Sequence, residues 1–243
     1  MIKNFDKKKV LIVGGSSGLG IHLTEMYLKN NFDVSIISRT KNKNLSTKVK
    51  QFRCDVTKIN QLKKILIKFK KNKLFFNLIV HNVGGSQKVF NYKEDSNSYN
   101  RVWNSNLGYA VEINNFFIPY MIKKKWGRIV HISSSAAYNY EAPVAYSSAK
   151  SALNTYVSSL SRRLIKNKIV MSCVCPGPIE LPGRYMTIAQ NKKNKFWKEY
   201  KKKHLPIGRL ARPNEITSVV FFLTSELASY CSGAIWNVDG SNY

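Results

Sequence analysis

Tyr146 and Lys150 stand four residues apart in the run Tyr146-Ser147-Ser148-Ala149-Lys150. On a helix that spacing puts both side chains on one face, one turn apart. An ordinary phenol titrates near 10 and exchanges protons poorly at neutral pH, but an ammonium held beside it favours the phenolate and brings it toward a useful range. Such a pair is common by chance. It gains weight here because Ile132-Ser133-Ser134 closes an apolar run before it and Pro176-Gly177 closes another after it. A serine hydroxyl at such a strand end can donate to a carbonyl and hold the alkoxide that develops there. Ser133, Ser134 and Ser135 are adjacent, so the residues alone leave that choice open.

A second chemistry stands at the other end of the chain. The first apolar run, 9–13, leads into Gly14-Gly15-Ser16-Ser17-Gly18-Leu19-Gly20, which opens a helical pattern. Glycines there permit a tight turn and let backbone N–H groups meet a pyrophosphate at a helix N-terminus, where the dipole favours anions. The next apolar run ends Ile36-Ile37-Ser38-Arg39-Thr40, and no Asp or Glu lies between Val34 and Val49, whereas Arg39, Lys41 and Lys43 do. At this strand end an acid would accept the ribose 2′-OH of NAD, and an Arg would take the 2′-phosphate of NADP. Arg39 is the main candidate, and NADP(H) is expected ahead of NAD(H).

The elements that must position these groups alternate. Strands are predicted at 9–13, 34–38, 51–54, 74–81, 128–133, 169–175 and 234–238, and helices at 18–30, 58–71, 99–124, 145–166 and 213–225. Several strands are apolar throughout, as parallel strands covered on both faces are. Pro213 suits the first position of a helix. The expected architecture is α/β: one doubly wound parallel sheet of about seven strands with helices on both faces, in a single domain over residues 1–243.

Hydrophobic residues make up 44% of the 243 and aromatics 12%, which predicts a packed globule. The start of the chain has no apolar signal-like stretch and no apolar run long enough to span a membrane, which points to the cytoplasm. Cys54, Cys173, Cys175 and Cys231 lack metal-ligand spacing and read as buried small hydrophobes, so no metal is expected. Forty Lys and Arg against 13 Asp and Glu give a charge of +27. The lysines are spread along the chain beside many Asn, which fits AT-rich codon usage as well as an anionic partner.

The spacing GxxxGxG, with the Tyr146/Lys150 pair, resembles the classical short-chain dehydrogenase/reductase family, in its 3-oxoacyl-carrier-protein reductase-like branch. The likeness runs from Val10 to Ser241. It implies a Rossmann-type fold in which Gly14, Ser16, Ser17, Gly18, Leu19 and Gly20 hold the pyrophosphate. Asp55-Val56 matches the adenine-side "DV", and His81-Asn82-Val83-Gly84 resembles the NNAG segment, placing Asn82 and Gly84 at the cofactor. His81 replaces the first Asn and is read as structural. Alignment of GRIVHISS selects Ser134 over Ser133. Asn106, in Asn106-Leu107-Gly108, resembles the Asn that completes a proton relay with the lysine, and Lys150 also reaches the nicotinamide ribose in this family. Pro176, Gly177 and Ile179 match the turn that packs on the nicotinamide. Val13 stands where the family has Thr, Leu181 where a Thr bonds the carboxamide, and Ser241 where a final Gly is usual. The resemblance implies hydride transfer between a ketone and a secondary alcohol, and a homodimer or homotetramer.

Residues 183–206 fall where the family carries its variable substrate lid. They hold eight basic residues (Arg184, Lys192, Lys193, Lys195, Lys198, Lys201, Lys202, Lys203), one acid, Glu199, and the aromatics Tyr185, Phe196, Trp197 and Tyr200. That mix suits an anionic or sugar-like small molecule (an acyl thioester, a sugar, a nucleotide sugar), or an amphipathic helix with a solvated basic face. The competing function, a non-catalytic dinucleotide sensor or a basic nucleic-acid-binding protein on the same fold, is disfavoured. A pure binder has no need of Asn106, Ser134, Tyr146 and Lys150 together.

Overall fold

KVLIV, Lys9–Val13 (β1), is buried from its second residue on, and its alternate side chains enter two different cores. Leu11 and Val13 face one, Val10 and Ile12 the other, so this strand must be covered on both sides. The computed structural model describes residues 9–139, 141–192 and 195–242, and among these the same holds for Asp33–Ser38 (β2), Leu78–His81 (β4), Gly127–Ile132 (β5) and Ile169–Pro176 (β6). Lys50–Arg53 (β3) and Ile235–Val238 (β7) are half exposed, as edge strands are. The order is β3-β2-β1-β4-β5-β6-β7 in one seven-stranded sheet, with every pairing parallel.

Helices Leu19–Lys29 (α1) and Pro213–Leu223 (α8) cover one face through Leu23, Tyr27, Ile216 and Val220. Ile59–Lys71 (α2), Tyr109–Lys124 (α4) and Val144–Leu164 (α5) cover the other through Leu62, Phe69, Ile113, Phe117, Leu153 and Val157. Each such buried side chain contributes roughly 1.5–3 kcal/mol. Pro213 opens α8, and Glu215 accepts the Arg212 amide at 2.7 Å to cap it.

The helix expected over 99–124 is divided. Ser96–Trp103 (α3) gives way to a π-helical turn, Asn104–Gly108, before α4 begins. The carbonyl of Val102 is taken by two side chains, Ser105 Oγ at 2.9 Å and Asn106 Nδ2 at 2.8 Å, which compete with the helical N–H bond. The strand expected over 74–81 forms only at its end, because Phe76 packs against Phe69 and Phe117 instead of joining a ladder. Within 183–206, Tyr185–Lys192 (α6) and Lys195–His204 (α7) are helical. Trp197 of α7 is buried with Ala189, Leu205 and Leu210, while Lys195, Lys198, Lys201, Lys202 and Lys203 face solvent. This is an amphipathic helix with a solvated basic face; Lys193 lies outside the described residues.

The strand order reverses between β1 and β4, which opens a crevice at their carboxyl ends. Register carries the residues there: Val13 pairs with Ile37 and His81, His81 with His131, and Ile132 with Val174. Gly14, Arg39, Asn82, Ser133 and Gly177 therefore emerge along one rim. The turn after β1 leaves no room at Gly20, where an added Cβ would lie 1.9 Å from the Gly14 carbonyl oxygen. Gly20→Ala is expected to lose about 3 kcal/mol, read as a lower urea midpoint, together with dinucleotide binding. Wild-type stability in that variant would show that the turn has another packing.

Candidate active site

A cleft of about 520 Å³ runs along this rim, from Arg39 at one end to Tyr146 and Lys150 at the other. At the β1 end, Gly14 (φ +89) and Gly18 (φ +54) take left-handed backbone that glycine tolerates. Three side chains tie the turn down. Asn82 Nδ2 donates to the Gly14 carbonyl at 3.0 Å, Thr24 Oγ1 to that of Gly15 at 3.0 Å, and Asn42 Nδ2 to that of Ser16 at 3.0 Å. These bonds hold the turn that has Val13 in place of the family's threonine. The N-terminus of α1 has no side-chain cap and no acid in its first turn. The Gly20 amide donates to the Ser17 carbonyl at 3.0 Å and the Ile21 amide to that of Gly18 at 3.2 Å, and the positive end of the helix meets the cleft at Gly18 and Leu19.

Arg39 is exposed and lines the cleft; Lys41 and Lys43 do not line it. Arg53 Nε donates to the Arg39 carbonyl at 3.3 Å, bringing a second guanidinium to that end. Asp55 and Val56 line the adjoining wall, with the Asp55 carboxylate accepting from the Thr57 hydroxyl at 2.7 Å.

At the reacting end, α5 starts at Val144, which places Tyr146 in its first turn and Lys150 one turn deeper. Lys150 is 2% exposed, and its ammonium donates to the Ile132 carbonyl at the end of β5 at 2.8 Å. Burial pulls it down to about 8. Tyr146 and Ser134 line the cleft together, and the Ser134 side chain is the neighbour that lowers the phenol. The Ser133 hydroxyl instead turns toward the Lys150 carbonyl, 3.5 Å away. The expectation that Lys150 makes the phenol more acidic requires correction. Burial raises Tyr146 above its ordinary value, and the lowering influence is Ser134. The ammonium lies 5.8 Å from the ring centroid and donates one of its protons to the Ile132 carbonyl. A phenol held this way keeps its proton at neutral pH, which suits a proton donor.

Asn106 does not line the cleft but sits directly behind it. Its Oδ1 accepts from the Gly85 amide at 3.0 Å and its Nδ2 donates to the Gly85 carbonyl at 2.9 Å, fixing the Gly84-Gly85 segment. A Cβ at Gly84 would stand 2.7 Å from Asn106 Oδ1 and 3.0 Å from Lys150 Nζ, so Gly84 is where the asparagine and lysine converge. Pro176, Gly177 and Ile179 form the opposite wall with Leu181, whose amide donates to Thr187 Oγ1 at 2.9 Å. Thr24, Asn42, Thr187, Gln87 and Arg184 were not singled out in the sequence as cofactor-site residues. No motif marks the first four, and Arg184 is one cation among many in its segment.

His81 lies outside the cleft, buried under the sheet end. Its Nε2 meets Asn114 Oδ1 at 2.9 Å, and its ring stacks on His131 with centroids 4.4 Å apart. Asn114 reaches His131 at 3.4 Å and the Tyr156 hydroxyl at 3.1 Å, so one amide orders three rings. Cys173 and Cys175 point the same way from β6, with Sγ atoms 3.4 and 3.8 Å from Asn154 Oδ1. Among the described residues no three His, Cys, Asp or Glu side chains group as metal ligands, and no helix is long and apolar enough to cross a membrane.

Burial lowers His81 from 6.5 to about 4. The unfolded chain protonates this ring first, so its contribution is complete above pH 6.5 and is lost as pH falls toward 4. His81→Asn is expected to flatten the acid limb of urea-measured stability by about 3 kcal/mol. An unchanged slope would place the acid sensitivity elsewhere.

Comparison with known proteins agrees with this geometry. A family model described as short chain dehydrogenase matches residues 8–193. The 3-oxoacyl-(acyl-carrier-protein) reductase of Chlamydia pneumoniae is 29% identical over 246 residues, covering 96% of each chain. Among solved structures, L-sorbose reductase from Gluconobacter frateurii, complexed with NADPH and L-sorbose, superposes with a TM-score of 0.87 at 24% identity, covering 100% of this chain and 98% of that one. A short chain dehydrogenase from Leptospira borgpetersenii with bound NAD+ superposes at 0.84 and 24% identity, covering 99% and 96%. These two likenesses bear on the fold. The chain belongs to the short-chain dehydrogenase/reductase family and is an oxidoreductase acting on the ketone–alcohol pair.

Proposed function

We propose that the protein is an NADP(H)-dependent reductase of a ketone, working reversibly on the secondary alcohol, with Tyr146 as the proton donor and acceptor. The observation that carries this reading is that Ser134, Tyr146 and the buried ammonium of Lys150 line one cleft at the sheet's carboxyl rim. The residues fit a dinucleotide. The uncapped N-terminus of α1, with Gly14, Ser16, Ser17, Gly18, Leu19 and the close-packed Gly20, would receive the pyrophosphate. Asp55, Val56, Asn82 and Gly84 would flank the adenosine and ribose, and Pro176, Gly177 and Ile179 the nicotinamide. Arg39, at a rim without carboxylates in the following loop, would take the 2′-phosphate.

When bound, the reduced cofactor supplies the hydride. Ser134 donates to the carbonyl oxygen and holds the charge that develops there. Tyr146, kept protonated by burial, passes its proton to the same oxygen. Lys150, near 8, anchors the phenol's helix, orients the ribose and can return a proton to the phenolate. Asn106 holds the Gly84-Gly85 wall against Lys150 and supports proton resupply. The described lysines of the lid at 183–206 face solvent and only Arg184 of its described basic residues lines the cleft, so the substrate class rests on likeness: the Chlamydia relative's name favours an acyl thioester over a sugar or nucleotide sugar. The reading extends to a homodimer or homotetramer, supported by the open edge of β7 and its exposed Trp236.

Turnover of a ketone panel with NADPH tests the chemistry. Tyr146→Phe should lower kcat about 10²- to 10⁴-fold without loss of NADPH binding, and equal turnover by the two proteins would reject the mechanism. For the cofactor, Arg39→Asp should raise KM for NADPH about 10- to 100-fold while leaving KM for NADH nearly unchanged. A parallel rise in both would remove Arg39 from the 2′-phosphate.

A further inference from the structure

Arg184 reaches across the cleft from the lid to the glycine-rich turn. Its Nη2 and the Leu181 side chain each lie 3.7 Å from where a Cβ of Gly18 would stand. The two contacts come from one tied unit. The Arg184 amide donates to the Leu181 carbonyl at 3.2 Å, and the Leu181 amide to Thr187 of α6 at 2.9 Å. Among the described residues no carboxylate pairs with Arg184, and none stands in the first turn of α1. A guanidinium is thus directed at the positive end of a helix, an arrangement that repels until an anion lies between the two. No carboxyl group that could neutralise it stands on either side among the described residues, and Arg184, Gly18 and Leu19 line one cleft.

We infer that Arg184 is a positioning residue that clamps the cofactor's pyrophosphate from the lid side, opposite the amides of α1. The inference rests on the dinucleotide reading given above. It assigns to the lid a direct contact with the cofactor, and it links closure of α6 to cofactor binding. The pyrophosphate is shared by NADPH, NADH and ADP-ribose, so this contact does not select among them, in contrast to Arg39.

The test is direct binding by calorimetry, with the full chain and with NADPH, NADH and ADP-ribose as probes, together with tryptic cleavage of the lid lysines. Arg184→Ala should weaken all three alike, by about 10- to 100-fold in Kd. Arg184→Lys should recover part of the loss by charge alone. In the wild type ADP-ribose should slow cleavage within 192–203, and in Arg184→Ala it should not. Unchanged affinities, or lid protection that persists in the alanine variant, would overturn the clamp. Weakening of NADPH alone would move Arg184 to the 2′-phosphate and overturn it too. If the wild type binds none of the three, the dinucleotide reading of the cleft falls first. Because Arg184 is exposed, thermal unfolding of the variants should match the wild type and exclude a folding defect.

Discussion

An ammonium that is 2% exposed requires an acceptor, and Lys150 finds it in the carbonyl of Ile132, 2.8 Å away. Leaving that charge unpaired would cost several kcal/mol, so the bond determines where α5 sits on the end of β5. Once α5 is seated, Tyr146 one turn earlier faces Ser134, which follows Ile132 by two residues. The phenol and the serine hydroxyl proposed to act on the carbonyl are therefore placed by one helix-to-strand contact, not by separate loops. The same burial that demands the acceptor also brings the lysine to about 8 and keeps the phenol protonated.

The sheet supplies the frame for that contact. Parallel strands all present their carboxyl ends on one side, and reversal of strand order between β1 and β4 opens the crevice there. The close approach of Gly20 to Gly14 holds α1 against the rim, with its positive end toward the cleft and no side-chain cap upon it. Behind the rim, Asn106 occupies a π-helical turn because its own amide competes for the carbonyl of Val102. That local departure from α geometry lets its other bonds grip Gly85, so a small helical defect stiffens the wall beside Lys150.

The sequence and the structure differ in informative places. Alternating apolar runs foretold seven strands and their parallel order, since strands buried on both faces leave a continuous hydrophobic signature. The helix over 99–124 looked continuous because periodicity is blind to side chains that take a backbone carbonyl. The lid's lysines hid its architecture: Trp197 packs inward while the charges point outward, a sorting that follows from contacts with Ala189, Leu205 and Leu210. Lys150 looked like the group that would acidify Tyr146, yet the desolvation that reverses this exists only after folding.

Residue type and spacing alone determined the fold class, the glycine turn, the absence of acids after β2 and the helical phasing of Tyr146 with Lys150. Each depends on local geometry: a two-residue pleat, a 3.6-residue turn, a position that admits only glycine. The tertiary structure decided which serine stands beside the phenol, which way the two pKa values move, and which of many cations reaches the glycine-rich turn. Those outcomes depend on burial and on distances between segments far apart in the chain. Neither quantity exists until strands, helices and lid are packed together.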